Sequence, residues 1–583
     1  MSRIKWVLDK VAVPHEPGLT NAQLMLTNDD LRPVTASIPY LISSRQIEAD
    51  RWKLRDIVEP ERRQWKWINY VTFWIADSLN INTWMISSSM IVDGLSWWQS
   101  WICVWIGYFI AACFVCLTGR IGAVYHISFP VTARASFGVW GSFWPVINRV
   151  VMAIIWYGVQ GYIGGECVSL MIEAIWPSYR HLHNGLPPSA VVTTKGFVSF
   201  FLFWLCSLPA LWFPVHQVRH LFTVKAIYSP IAAIAFFAWT ISRAHGIGPI
   251  VHQPNTVHGS ELGWAWVKGI LSCIGNFAAL IMNDPDFTRF SRTPKDAMWS
   301  QLLTIPIGFG ITSFIGIIVS SSSSVIYGDS VWNPLDLLEK FLDGASSGQR
   351  FGIFIIALGF TLAQLGTNIC ANSVSAGTDL TALMPRYLTI RRGSYICAAI
   401  SIAMCPWNLV LTSNQFTTYL SAYSLFLSAI AGVMICDYYI VRKGYLDIKS
   451  LYSARKTDPY FYTYGFSWRA YAAYISGILI NIVGFAGAVG RQVPIGAQYI
   501  YNINYFSGVI VAGGMYCLLT YLFPVPATSD YWNEVDVDVD ELAVAYGQEV
   551  SDEENSGAYE RRSLSESLPP GDQKGLSTAS RKI

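Results

Sequence analysis

Twelve runs of mostly apolar residues, each near the length that crosses a hydrocarbon core, divide this chain and leave it little choice but a membrane. They lie near residues 68–90, 95–118, 143–175, 196–213, 221–243, 264–283, 299–324, 351–378, 393–412, 416–441, 471–490 and 503–523. A spanning segment must satisfy its own backbone, so each run is expected to be helical and the fold all-α. Charge supports this: only 13% of the residues are Asp, Glu, Lys or Arg, about half the share of a soluble chain. Those charges gather in the tails and in short stretches between the runs. The N-terminus is polar, with no signal-peptide pattern, so the first span is expected to act as the insertion signal.

Loop charges set the orientation. Fifteen Lys and Arg fall in one set of loops and six in the other, which predicts both termini in the cytosol. Residues 1–67 and 524–583 read as cytosolic tails around a transporter domain of residues 68–523. The second tail is acidic and rich in Ser, Gly and Pro, a composition that cannot bury a core and is expected to be disordered. Such tails are also where trafficking and ubiquitination machinery would dock. A net charge of +2 gives no reason to expect nucleic acid. Eleven cysteines show no metal-type spacing and read as small buried hydrophobes. No nucleophile–base pair, metal cluster or phosphate-cradling loop points to an enzyme or an organic cofactor.

Polar residues inside a bilayer are costly and mark function by default. In the eighth run Gln364, Asn368, Asn372, Ser375 and Asp379 recur at steps of four, four, three and four, one face of a helix. In the third run, which is long and carries Arg149, Trp156 and Gln160 lie one turn apart. An indole offers a flat surface; carboxamides offer a donor and an acceptor each. Gln160 and Asn372 together would hold the edge of a neutral planar ring without burying charge. Asp379 suits a proton relay, or alternatively an end cap pairing with Arg386. Lys225 and Lys268 either reach toward the interface or take part in coupling.

Two runs read as interrupted helices. The first places Asp77, Asn80 and Asn82 at mid-membrane; the sixth is broken at Gly275-Asn276-Phe277 and ends at Asn283-Asp284-Pro285-Asp286. Their matched positions, five helices apart, suggest a five-plus-five inverted-repeat transporter. The alternative for Gly275 is close helix packing.

The segments NDDLRPV, ERRQWKWINYVTFWIADSLNINTW, GLSWWQSWICVWIGY, SFPVTARASFGVWGS, WYGVQ, GNFAALIMNDPDFTRFS, AQLGTNICANSVSAGTDL and AGVMICDYYIVRKGYL resemble the fungal Fur-type permeases of the nucleobase–cation symport-1 family. That resemblance runs from about residue 28 to 523. It implies a twelve-helix plasma-membrane importer with the LeuT-like fold, moving uracil, allantoin, uridine, uric acid or thiamine with a proton. Carried over by motif, Trp156 would stack the ring and Gln160 and Asn372 would bond its edge. Asp379 would support binding or coupling, and Asn80, Asn82, Asn276 and Phe277 would complete the pocket. Tyr423 and Leu420 match gating positions, with Asn82 beside them. Ala76, Leu79, Ala363, Gly366 and Thr367 match positions that bind sodium in bacterial relatives. Glycine at 366 lacks a side-chain oxygen that a hard cation would want, which favours H+ as the coupling ion. The chain departs from the family pattern at residues 34–60, which stand where relatives run only a few residues. Uracil is the favoured substrate and allantoin the nearest rival; outside the class stands a receptor that binds the ring without moving it.

Overall fold

A computed structural model describes residues 12–13, 25–26, 65–213 and 215–534 of the chain, without the side chains of 215–223. The extra residues at 34–60 lie outside the described part.

The principal helices are α1 (Trp67–Ser78), α2 (Ile81–Val92), α3 (Trp97–Tyr125), α4 (Phe129–Phe137), α5 (Phe143–Ile175), α6 (Thr194–Ser207), α7 (Val215–Arg243) and α8 (Gly259–Thr288). They continue with α9 (Pro294–Tyr327), α10 (Pro334–Lys340), α11 (Ser347–Thr367), α12 (Ser375–Leu383), α13 (Ile390–Ala403), α14 (Ser413–Cys436), α15 (Trp468–Ala488) and α16 (Asn504–Leu522). Among the described residues, ten helices are long and apolar enough to cross a membrane. Their polarity is that of a lipid-embedded body: Trp299, Leu303, Ile307 and Ile311 form an exposed apolar stripe on α9, while Ser320, Ser321, Ser322 and Ser323 of the same helix are buried.

Two of the twelve expected runs are not single membrane-length helices. The first is divided into α1 and α2, as its polar centre predicted. Asn80 adopts extended backbone (φ −142°, ψ 159°), and one side chain closes both new helix ends. Its Nδ2 donates to the Asp77 carbonyl at 2.5 Å and its Oδ1 accepts from the Thr83 amide at 2.9 Å. The ninth run yields only the 14 residues of α13 before Cys405 turns to φ 48° and Pro406 follows.

The sixth run corrects an expectation. Helix α8 is continuous from Gly259 to Thr288 and has no break at Gly275-Asn276-Phe277. Gly275 instead admits the backbone of α14: a Cβ there would stand 3.3 Å from the Leu420 carbonyl oxygen. Pro285 does not end the helix either. It leaves the Ile281 carbonyl without its usual amide donor, and Thr118 Oγ1 of α3 supplies one at 2.5 Å. Gly122 lets the two helices come this close, since a Cβ would sit 2.6 Å from the Pro285 Cα. The interruption the eighth run does contain is milder: Asn368–Val374 is wound as π-helix between α11 and α12. Such bulges often mark functional sites.

Of the expected C-terminal tail, residues 524–583, the structure describes the part up to Glu534. Residues 524–534 are fastened to the helical body. Arg442 Nη1 donates to the carbonyls of Pro526 and Ala527, Lys443 Nζ to that of Asp530, and Arg120 pairs with Glu534 at 2.5 Å.

Candidate functional site

Helix α5 places Arg149, Trp156 and Gln160 on one stripe, because steps of seven and eleven residues return to nearly the same face. Facing it are the polar residues of α11, the π-segment and α12. From the other side come the α1–α2 break and α8. Between them lies a cavity of about 50 Å³, bordered by Trp156, Gln160, Asn372, Asn80, Asn82 and Asn276. That is room for several waters.

Each carboxamide is oriented by a neighbour. Gln364 Nε2 donates to Gln160 Oε1 at 2.7 Å, and Asn372 Nδ2 to Asn368 Oδ1 at 3.0 Å. Asn368 in turn donates to the Tyr157 carbonyl at 3.1 Å. Asn82 donates to Asn276 Oδ1 at 2.9 Å, joining α2 to α8 across the cavity. Gln160 therefore has its Nε2 donors left for a ligand, and Asn372 has its carbonyl. The Trp156 indole is held in an aromatic box by Phe416, Tyr419 and Tyr423 of α14, with ring centroids 5.8–6.4 Å away.

Of the two residues expected to gate, Tyr423 is a wall of this box and Leu420 packs against α8. The Tyr423 hydroxyl donates to the Gly275 carbonyl at 2.6 Å, and Leu420 is fully buried against the same glycine. Phe277 does not border the cavity as expected. On a continuous helix it points about 100° away from Asn276, and it packs instead on Trp74, Tyr108 and Phe309.

Asp379 is fully buried, and its partner is Arg149, not Arg386. The guanidinium grips both carboxylate oxygens, with Nε 2.6 Å from Oδ2, while Nη1 reaches Asn283 Oδ1 at 2.6 Å and Asp286 Oδ2 at 2.7 Å. Arg149 thus ties α5 and α12 to α8 at the cavity's edge. Sequence reasoning missed this role, although the spacing from Trp156 and Gln160 carried the signal.

Lys225 reaches the cavity wall from α7. Its Nζ donates to Thr367 Oγ1 at 2.5 Å, and its stem covers Gly366, where a Cβ would meet Cδ at 2.9 Å. Lys268 is not brought to the cavity. It pairs at 2.8 Å with Asp93, just beyond α2, and both are partly exposed. The eleven cysteines are all free thiols.

Membrane-length helices gathered round a polar cavity, with charges paired at its walls, define a multi-pass membrane transporter. A family model described as permease for cytosine/purines, uracil, thiamine and allantoin matches residues 57–508. The chain belongs to that family. It is 48% identical to the uracil permease of Saccharomyces cerevisiae over 482 residues, covering 80% of this chain and 75% of the relative. It is 47% identical to the allantoin permease of the same yeast over 483 residues, covering 81% and 75%. Its fold is shared with Mhp1, a nucleobase-cation-symport-1 family transporter solved in a closed conformation with bromovinylhydantoin bound. That likeness has a TM-score of 0.66 at 18% identity and covers 88% of this chain and 99% of the other.

Proposed function

We propose that the protein is a proton-coupled plasma-membrane importer of a small neutral nucleobase, with uracil as its substrate. One observation carries this reading: an indole and two oriented carboxamides, Trp156, Gln160 and Asn372, border one cavity. A planar ring stacked on the indole would meet donors from Gln160 and an acceptor from Asn372, matching the alternating C=O and N–H groups of a pyrimidinedione edge. Neutral hydrogen bonds suit such a ring, since no charge need be desolvated to admit it. Asn80 and Asn276 extend the polar wall, and the Asn82–Asn276 hydrogen bond supports a gating role for Asn82 between α2 and α8.

The transport cycle follows from the same parts. The divided first span and the short α13 complete twelve crossings with the ten long helices, arranged as two inverted five-helix halves with both termini in the cytosol. The positions that resemblance assigns to sodium, among them Gly366 and Thr367, are covered here by the Lys225 stem and ammonium, which favours protons. Asp379 supports coupling through Arg149, which lies between the ligand cavity and two carboxylates. Lys268, tied to Asp93 away from the cavity, has no part in it.

Allantoin is the second reading, favoured by the near-equal identity to its yeast permease and by its similar C=O and N–H edge. The test is uptake of radiolabelled uracil by cells lacking their own permeases, competed with allantoin, uridine, uric acid and thiamine. Saturable accumulation blocked best by unlabelled uracil is expected. Stronger competition by allantoin would reassign the substrate. Binding to membranes without accumulation would indicate a receptor.

A further inference from the structure

The cavity holds one charge that the preceding reading does not use. Asp77 sits in the last turn of α1, and its half-buried carboxylate borders the cavity. Its backbone carbonyl is taken by Asn80. Among the described residues, no hydrogen bond or ion pair reaches its side chain. Lys225 lies near enough to attract it, but the ammonium's hydrogen bond goes to Thr367.

The other cavity charge is occupied. Arg149 spends Nε, Nη1 and Nη2 on Asp379, Asp286 and Asn283. Around the cavity, the carboxylates of Asp77, Asp286 and Asp379 face the cations Arg149 and Lys225, three against two, one net negative charge when all are ionised. Arg149, the one cation among the described residues that border the cavity, is committed to carboxylates, whereas the Asp77 carboxylate is open to an N–H donor.

We propose that Asp77 is a ligand-facing specificity residue, which takes an N–H of the bound ring and excludes rings that carry a negative charge. The inference rests on the nucleobase reading and adds the residue that enforces the neutrality of the ring. The physical basis is that an enclosed carboxylate lacking donors gains from any N–H placed against it. A second carboxylate in the same low-dielectric space is repelled. Carboxamide walls alone would treat neutral and anionic rings more evenly, because they offer donors to both.

The experiment uses the full-length protein in permease-deficient cells and labelled uracil. Competitors are two uracils substituted at the same ring carbon, one with a carboxylate and one with the carboxamide of nearly equal size. In the wild type the carboxylate should need about 100-fold more material than the carboxamide for equal inhibition, as like-charge contact predicts. Asp77→Asn keeps shape and removes charge, and should narrow that ratio about tenfold or more while uracil is still taken up. Equal potency of the two competitors on the wild type overturns the proposal, and this measurement needs no variant to fold. An unchanged ratio in Asp77→Asn at normal surface abundance overturns it as well. A wild type that takes up no uracil overturns the reading beneath it, and is told apart by the missing uptake signal.

Discussion

Arg149 and Arg442 are both fully buried cations held by aspartate, yet only one of them borders a cavity. Arg442 pairs with Asp437 at 2.9 Å and spends its remaining donors on the carbonyls of Ala135, Pro526 and Ala527 and on the Tyr462 hydroxyl. Asp437 is equally saturated, accepting from Ser136 and Tyr516 at 2.9 and 2.8 Å. Every partner there belongs to chain that the arginine fastens in place. Arg149 shares two carboxylates among three helices, and one side of its cluster faces open space. Similar ionic chemistry therefore makes a saturated rivet in one region and a cluster open to a cavity in the other. Saturation by carbonyls favours permanence; carboxylates on separate helices can exchange partners when those helices move.

Removing the rivet should have the largest effect. Arg442→Ala strands a buried carboxylate and should cost about 3–5 kcal/mol. Surface protein should fall sharply on blots of isolated membranes, with uptake per remaining molecule unchanged. Arg149→Lys keeps the charge but loses the forked geometry. Uptake should drop about tenfold or more while the protein still reaches the surface; loss of protein in step with uptake would make Arg149 a second rivet. Asp379→Asn should spare surface abundance and flatten the pH profile of initial uptake. An unchanged profile would remove Asp379 from the coupling path. Lys268→Ala is the smallest case: its partly exposed pair with Asp93 contributes within about 1 kcal/mol, so uptake and abundance should both match the wild type.

How much of this was legible before folding depends on how local each cause is. The break between α1 and α2 could be read because Asn80 caps it using atoms within three residues. The polar stripe could be read because helical spacing alone assembles it. Gly275-Asn276 was ambiguous, since the same pair serves a break or a close approach, and the backbone of α14 at Leu420 decides. Assuming a break also misplaced Phe277, which a continuous helix turns away from Asn276. The partners of Arg149 lie 134–230 residues along the chain; only its register with Trp156 was visible. The strap of residues 524–534 was hidden because it runs straight into the acidic stretch that begins at Glu534. Glu534 looks like a solvated charge until Arg120 and the Tyr438 hydroxyl are placed against it.

The central claim is that a flat ring lies on Trp156 with its edge against Gln160. Its most direct test measures uracil affinity and uptake in Trp156→Ala and Gln160→Ala at matched surface abundance. Stacking of a base on an aromatic ring contributes about 1–3 kcal/mol, so affinity should weaken roughly 5-fold to 150-fold in the first variant. A comparable loss is expected in the second. Wild-type affinity in both variants would contradict the account.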